Sequence, residues 1–177
     1  MKKIILTILV FVFYASVFNT ENCYAQWVQT DGIYGGEVTS FAVKGSKIFA
    51  GTGNNGVAVS TNGGNNWTTT SLVNMLIRSV CIKDNAIYAM PFYEIIYRST
   101  DEGLNWTTIS VCKDYLKKLG TAGNNLLAGT YDSGIYVSTN NGSNWIRSNL
   151  NTHEVTDFAV YGSKVLAATG NGFYASS

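Results

Sequence analysis

The sequence is poor in charge and nearly lacks histidine. Twelve lysines and arginines oppose eleven aspartates and glutamates, for a formal net charge of +1. Nucleic acids and anionic membrane surfaces are bound by basic patches, so this balance argues against both as partners. His153 is the sole histidine, which leaves a histidine-based metal site or a Ser-His nucleophile without a second member. We predict no cofactor and no metal site.

The chain also lacks an apolar run long enough for a transmembrane helix. Residues 4–18 are uncharged and mostly apolar, but a span needs about 20 residues. Two lysines precede them, and residues 23–25 end in a small alanine. This order is typical of a secretory signal peptide, whereas a lipoprotein anchored at Cys23 would need small and aliphatic residues before it. We predict a signal peptide over 1–25 and an exported mature chain, 26–177, without a membrane span. Its location is the periplasm, the cell surface or the extracellular space.

What the sequence does contain is a repeat of 39 residues. Segments 60–67 (STNGGNNW), 99–106 (STDEGLNW) and 138–145 (STNNGSNW) nearly superimpose, with spacings of 99 − 60 = 39 and 138 − 99 = 39. Internal repeats of this period are typical of solenoids and propellers. Three further sets recur at the same spacing: Phe41, Val80, Leu119 and Phe158; Ile48, Ile87, Leu126 and Val165; Ala50, Ala89, Ala128 and Ala167.

Each repeat has the pattern of four short strands. In the first, apolar or alternating segments are separated by turns rich in glycine and asparagine, and no helical periodicity occurs after the signal peptide. Turn signals every ~8–12 residues indicate an all-β architecture. Tandem four-stranded units of this length predict a β-propeller. The predicted blades cover about 37–71, 76–110, 115–149 and 154–177, the last together with 26–30.

The repeated octapeptide predicts a self-supporting turn. Its third residue is Asn or Asp, whose side chain accepts hydrogen bonds from backbone N–H groups further along the turn. Its fifth residue is always glycine, as expected for a positive φ. Its last residue is a tryptophan, expected to cover the turn and the inner strands. The predicted structural residues are Ser60, Asn62, Gly64, Trp67, Ser99, Asp101, Gly103, Trp106, Ser138, Asn140, Gly142 and Trp145.

These turns resemble the Asp-box, or bacterial neuraminidase repeat, with the pattern Ser-x-Asp-x-Gly-x-x-Trp. Two of the three have Asn in place of Asp, which keeps the acceptor but loses the charge. The family includes sialidases, xyloglucan-cleaving glycosidases, sortilin-type receptors and a photosystem II assembly factor. The resemblance implies a propeller fold. It implies little about activity, because in all of these the box is a folding device distant from the ligand.

The two ends of the mature chain complement each other. Residues 26–29 (QWVQ) resemble the outer strand 66–69 (NWTT), whereas 154–177 supply only three strands. We expect the N-terminal strand to complete the last blade, which would remove an exposed sheet edge. Three arrangements stay open: a complete four-bladed ring, a piece of a longer array, since Asp-box propellers resemble six- to eight-bladed rings, and self-association of open arcs.

Two cysteines, Cys81 and Cys112, remain in the mature chain. In an exported protein they can pair. The position of Cys81 is otherwise filled by Ala42, Gly120 and Ala159, which favours a small buried residue. Both interpretations stay open, because a sequence does not show whether two Cβ atoms meet.

Candidate ligand-contacting residues lie in the loops that vary over the constant scaffold. The loops after each second strand and those joining successive blades are expected at one rim, opposite the repeated turns. In blade two, residues 90–94 (MPFYE) replace the Gly/Asn loops found elsewhere. Aromatic side chains beside carboxylates suit sugar or peptide recognition, although this loop could simply cap the core. The predicted rim residues are Tyr34, Phe92, Tyr93, Glu94, Tyr131, Asp132 and His153.

These features predict a non-enzymatic binding or scaffold protein whose partner is an unknown glycan, peptide or protein. The alternative is a degenerate or partial glycoside hydrolase of sialidase or xyloglucanase type, which needs two suitably spaced carboxylates. A sialidase would also need an arginine cluster for its substrate carboxylate. The rim acids are Glu37, Glu94, Asp114, Asp132 and Glu154. The only arginines, Arg78, Arg98 and Arg147, fall on predicted strands.

Overall fold

The structure of the protein is a computed structural model. It describes residues 32, 36–92, 94–110, 114–150 and 153–176. All regular elements in these ranges are β-strands. None of the described segments forms a helix with the length and apolar character needed to cross a membrane. The predicted signal peptide, the 26–30 strand, Tyr34, Tyr93 and Cys112 lie outside these ranges, so those predictions and the domain boundaries stay predictions.

In the described ranges, fifteen strands form four separate antiparallel sheets, and the strands of each sheet follow chain order. The first blade comprises β1 (Val38–Lys44), β2 (Lys47–Thr52), β3 (Val57–Ser60) and β4 (Thr68–Thr69). The second comprises β5 (Ile77–Lys83), β6 (Ala86–Pro91), β7 (Ile95–Ser99) and β8 (Thr107–Ser110). The third comprises β9 (Leu116–Ala122), β10 (Asn125–Thr130), β11 (Ile135–Ser138) and β12 (Ile146–Arg147). The fourth comprises β13 (Val155–Tyr161), β14 (Lys164–Thr169) and β15 (Gly172–Ala175). The predicted all-β propeller of four blades is confirmed.

The inner strands of the four blades face a common axis. β1, β5, β9 and β13 line one cavity of about 330 Å³. The first apolar set of the repeat, Phe41, Val80, Leu119 and Phe158, lies on its wall. The 39-residue period is therefore a rotation about this axis, with each repeat contributing one inner strand.

Small residues allow neighbouring blades to approach closely. The alanine at the centre of each second strand is almost wholly buried in all four blades. Next to it, Gly51 and Gly129 lie so close to the following blade that an added Cβ would fall 2.8 Å from Ile77 and from Val155, respectively. Since that distance is shorter than a carbon–carbon contact allows, larger side chains here would push the blades apart.

Neighbouring blades are also joined by a hydrogen bond in which a serine hydroxyl accepts from a backbone N–H of the next inner strand. The Ser40 hydroxyl accepts from the Val80 N–H at 2.9 Å, and the Ser79 hydroxyl accepts from the Leu119 N–H at 3.1 Å. At the third junction the equivalent residue is Lys118, which forms an ion pair with Asp157 at 2.9 Å. The same Asp157 oxygen accepts from the N–H of Phe158, so an aspartate replaces the serine there.

The three repeated turns, here called box turns (60–67, 99–106 and 138–145), have one hydrogen-bond pattern. In the first, the Ser60 hydroxyl donates to Asn62 Oδ1 at 3.0 Å and accepts from the Gly64 N–H at 2.9 Å. Asn62 Oδ1 also accepts from the Asn66 N–H, and the indole N–H of Trp67 donates to the Gly64 carbonyl, both at 2.9 Å. The other two turns repeat every bond. The glycines at the fifth position of the turns, Gly64, Gly103 and Gly142, have φ of 92°, 90° and 87°. These positive values agree with the prediction from the sequence.

The box turns also hold blades together, which the sequence did not reveal. The Gly103 carbonyl accepts hydrogen bonds from both the N–H and the hydroxyl of Ser71 in the preceding blade, at 3.0 and 3.1 Å. Trp106 packs on the core shared by blades one and two, and Trp145 on that shared by blades two and three. The tryptophans are half-buried, because their outer edges remain in contact with solvent.

Cys81 is a free thiol buried in the core between blades two and three. Burial raises its pKa to about 12, so the thiol stays protonated at neutral pH. The expectation of a small buried residue at this position is confirmed.

Replacing Trp106 should show how much the box turns stabilise the propeller. Trp106→Ala removes half-buried apolar surface from the blade one–two core, so we expect a loss of about 3 kcal/mol in the free energy of unfolding. Leu104, in the same turn, is 73% exposed, and Leu104→Ala should change stability by less than about 0.5 kcal/mol. Urea denaturation followed by circular dichroism measures both. Equal losses in the two variants would show that the tryptophan has no special role.

The one box turn with a carboxylate should respond to acid. Hydrogen bonds from the Asn105 side chain and backbone N–H, and from the Ser99 hydroxyl, lower the pKa of Asp101. A lowered folded-state pKa stabilises the protein above the unfolded-state value of about 3.9, and this stabilisation is lost as the pH falls through the folded-state pKa. Asp101→Asn should therefore reduce the drop in melting temperature between about pH 5 and about pH 2. Asn62→Asp should enlarge it. If both variants follow the wild-type pH profile, the turn carboxylate has no linkage to folding.

Candidate functional site

The start of each inner strand and the end of each second strand meet at one edge of the propeller, here called the rim. Backbone hydrogen bonds join them in three blades: Gly53 N–H to the Glu37 carbonyl at 2.7 Å, Tyr131 N–H to that of Tyr115 at 3.1 Å, and Gly170 N–H to that of Glu154 at 3.2 Å. The loops expected to share one edge therefore do so. Side chains that flank these bonds therefore project from a hydrogen-bonded backbone.

Two of the predicted rim residues are brought together by an arginine. The guanidinium carbon of Arg78 lies 4.1 Å from the ring centroid of Phe92 and 5.5 Å from that of Tyr131. Arg78 Nη1 donates to the Tyr131 hydroxyl at 3.2 Å. Phe92 and Tyr131 come from blades two and three, and both remain substantially exposed, at 47% and 42%. The arginine thus links two adjacent blades at the surface.

A second cation approaches the same tyrosine. Lys117 Nζ lies 4.9 Å from the Tyr131 centroid and forms an ion pair with Glu154 in the fourth blade. Arg78, in contrast, has no carboxylate within ion-pair distance among residues 32, 36–92, 94–110, 114–150 and 153–176. Cations over aromatic faces are attracted by the ring quadrupole. We call Arg78, Phe92, Lys117 and Tyr131 the cation–aromatic cluster.

The structure describes three of the remaining predicted rim residues, His153, Asp132 and Glu94. His153 contacts Tyr174, with Nε2 at 3.2 Å from the tyrosine hydroxyl and the ring centroids 5.2 Å apart. Asp132 is exposed and accepts from the Ser133 hydroxyl at 3.4 Å. Glu94 is half-buried. Tyr34 and Tyr93 lie outside the described ranges.

Arg78 and Lys117 were missed because strand residues were set aside as structural. Both are the second residue of an inner strand, β5 and β9, where the strand begins at the rim. A comparison across the repeats would have found them. The equivalents of Arg78 and Lys117 in blades one and four are Thr39 and Thr156; those of Phe92 and Tyr131 are Gly53 and Gly170. Blades two and three therefore each carry a cation and an aromatic ring where blades one and four carry threonine and glycine.

Residues 45–170, which extend from the β1–β2 turn to the end of the fourth blade's second strand, match the DUF6242 beta propeller domain. The chain belongs to this family. No curated protein matches it.

Solved structures resemble this DUF6242 propeller in fold alone. The computationally designed Ika4 protein has 14% identity and a TM-score of 0.67, over 83% of this chain and 94% of its own. The extracellular domain of BT4673 from B. thetaiotaomicron has 17% identity and a TM-score of 0.68, over 84% and 22%. YCF48 from Cyanidioschyzon merolae has 17% identity and a TM-score of 0.65, over 80% and 53%. The DUF6242 chain thus matches about half of YCF48 and less than a quarter of the BT4673 domain.

The rim acids Asp114 and Glu154 are engaged in local contacts. Asp114 accepts from the Tyr136 hydroxyl at 2.6 Å, and Glu154 is held by Lys117. Within the parts of the chain that the structure describes, no group of three or more His, Cys, Asp or Glu residues is placed to bind a metal ion. Beside these acids, the rim carries the cations and aromatic rings of the cation–aromatic cluster.

Proposed function

We propose that this DUF6242 propeller is an exported, non-enzymatic binding protein that holds a carboxylate-bearing ligand at its cation–aromatic cluster. The observation that carries the proposal is the placement of Arg78, which is stacked on Phe92, bonded to Tyr131 and without a carboxylate partner in the described ranges. A guanidinium presents a planar fork of donors that fits a carboxylate in a bidentate manner. An arginine held in this way is preorganised to bind an anion.

The neighbouring tyrosine adds a second donor. Because the Tyr131 hydroxyl accepts a hydrogen bond from Arg78, its own proton is available to the ligand. The exposed ring faces of Tyr131 and Phe92 add apolar surface beside the charge. Ordering these side chains before binding lowers the entropy that association costs.

Glu154 serves in this proposal as an internal competitor. It already occupies Lys117, so a ligand carboxylate would have to share or displace it. The cluster would then bind acids weakly through Lys117 and more strongly through Arg78. Surface ion pairs contribute only about 0–1 kcal/mol. A ligand carboxylate could therefore displace Glu154 from Lys117 at a small cost in free energy.

Acidic glycans and acidic peptides share the carboxylate chemistry, so a ligand of either class fits the cluster. We infer that the box turns are of the Asp-box type, which concerns the fold and favours neither class. YCF48, which shares the fold, is known in a structure bound to D1 peptide. Export is supported by the predicted signal peptide and by the resemblance to an extracellular domain.

The degenerate glycoside hydrolase remains the alternative function. A glycosidase needs an acid and a base or nucleophile that are free to act on the substrate. The contacts of Asp114 and Glu154 with Tyr136 and Lys117 favour a structural role for those two acids. Turnover of a soluble glycan that is abolished by Glu94→Gln would establish the enzymatic alternative.

Binding should depend on Arg78 and on the charge of the ligand. We expect oligogalacturonate or an oligoglutamate peptide to bind, and their neutral counterparts, a cello-oligosaccharide and an oligoglutamine peptide, to bind much less. Arg78→Gln should weaken binding by about 10- to 100-fold, the loss expected for charge-assisted hydrogen bonds. Glu154→Gln should strengthen it by about 2- to 5-fold by releasing Lys117. Isothermal titration calorimetry at low salt measures each constant.

The matched control is Lys164→Gln. Lys164 is exposed at the start of β14, at the opposite end of that strand from the rim, and the substitution changes the net charge by the same amount as Arg78→Gln. If Lys164→Gln weakens binding as much as Arg78→Gln does, the attraction is only that of net charge. If neither acidic probe binds to the wild type, the acidic-ligand proposal is wrong.

A further inference from the structure

The residue that precedes each inner strand divides the rim into two chemically different halves. In blades two and three this residue is Leu76 or Tyr115, and both side chains are exposed, at 40% and 63%. They extend the apolar surface beside Arg78 and Lys117. In blades one and four, which lack the cation and the aromatic ring, the equivalent residues are carboxylates, Glu37 and Glu154.

The two carboxylates differ in their partners. Glu154 forms an ion pair with Lys117, whereas Glu37 is exposed and forms no ion pair with any residue of the described ranges. Nor does a side chain at the end of the second strand cover it. That position is Gly53, where an added Cβ would lie 3.4 Å from the Glu37 Cβ. Glu37 therefore offers a free negative charge, as Arg78 offers a free positive one.

These two free charges lie on adjacent blades that are joined close to them. The Thr39 hydroxyl donates to the carbonyl of Ile77, the residue before Arg78. Glu37 is two residues before Thr39, or about 7 Å along an extended strand. The Glu37 carbonyl accepts from the Gly53 N–H at 2.7 Å. Both charged side chains thus project from hydrogen-bonded strand ends on either side of one blade junction.

We propose that the ligand of the rim is a peptide segment with a basic and an acidic side chain, the acid bound by Arg78 and the base by Glu37. This inference rests on the proposed function, which it narrows from any carboxylate to a mixed-charge peptide. A uronic-acid glycan carries carboxylates without a basic group, so Glu37 repels it. A basic side chain next to the carboxylate converts this repulsion into attraction, and such pairs of charges give specificity between ligands.

An extended peptide has the geometry to span the junction. Side chains at positions i and i+2 lie on the same face of a strand, about 7 Å apart. A basic and an acidic residue separated by one residue therefore present both charges to the rim together. Because such a peptide has no net charge, its binding does not depend on the net charge of the protein.

Capped peptides with equal numbers of carboxylates test this inference in the full chain. The mixed peptide repeats Lys-Gly-Glu-Gly, and the acid-only peptide repeats Gln-Gly-Glu-Gly. We expect wild-type protein to bind the mixed peptide about 2- to 5-fold more tightly, the range for exposed charge pairs. Glu37→Gln should weaken binding of the mixed peptide by about 2- to 5-fold and strengthen binding of the acid-only peptide by about 2-fold. Isothermal titration calorimetry at low salt measures each constant, and an unchanged melting temperature shows that the variant is folded.

The opposite responses of the two peptides are the decisive result. If Glu37→Gln strengthens both or changes neither, Glu37 does not bind the basic group, and the inference is overturned while the proposed function stands. Asp132→Asn, which removes another exposed rim acid, should not produce opposite responses. If it does, the basic group binds at blade three instead.

Two further outcomes separate this inference from the proposed function. If oligogalacturonate with the same number of carboxylates binds wild-type protein as tightly as the mixed peptide does, the preference for a peptide is wrong. If Arg78→Gln leaves binding of the acid-only peptide unchanged, the proposed function itself fails, whatever the result for Glu37.

Discussion

Contact between successive blades is the constraint on which this structure depends. A sheet of four short strands exposes two apolar faces and cannot bury both by itself, so each repeat is stable only against its neighbours. The buried alanines and the close-packed Gly51 and Gly129 set the distance between neighbouring blades. The serine–amide hydrogen bonds and the box turns stabilise the blades at this distance. Because these devices recur every 39 residues, the rotation from one blade to the next is fixed by a few positions in each repeat.

The features that could be predicted from the sequence are those encoded locally. The box turns were predictable in detail, because their hydrogen bonds run between residues at most four apart. The strand order followed from turn spacing and period. The bond from Ser71 to Gly103 was not predictable, because it joins residues from different repeats whose relative position only the packed blades define. The half-burial of the tryptophans was not predictable either, because it depends on the packing of neighbouring blades.

The rim shows a similar division. Loop variation singled out Phe92 and Tyr131, which the structure brings to one arginine, but it did not single out the cations between them. Arg78 and Lys117 were hidden because a residue in a strand was taken to belong to the sheet, whereas the first residues of an inner strand open onto the rim. His153 was placed near them by sequence and lies instead against Tyr174. Which rim residues meet depends on side-chain reach across the blade junction, and a linear pattern does not contain that information.

The three junctions are not chemically equivalent, and this limits how such a chain can lengthen by duplication. Junctions one and two use a serine hydroxyl, so an extra copy of blade two inserted after itself would meet matching partners on both sides. The same copy inserted after blade three would present Ser79 to Lys118 in place of Asp157, and a half-buried ammonium would lose its counter-ion. We therefore expect an inserted blade to be tolerated after blade two, and after blade three only when the new unit brings a compensating acid.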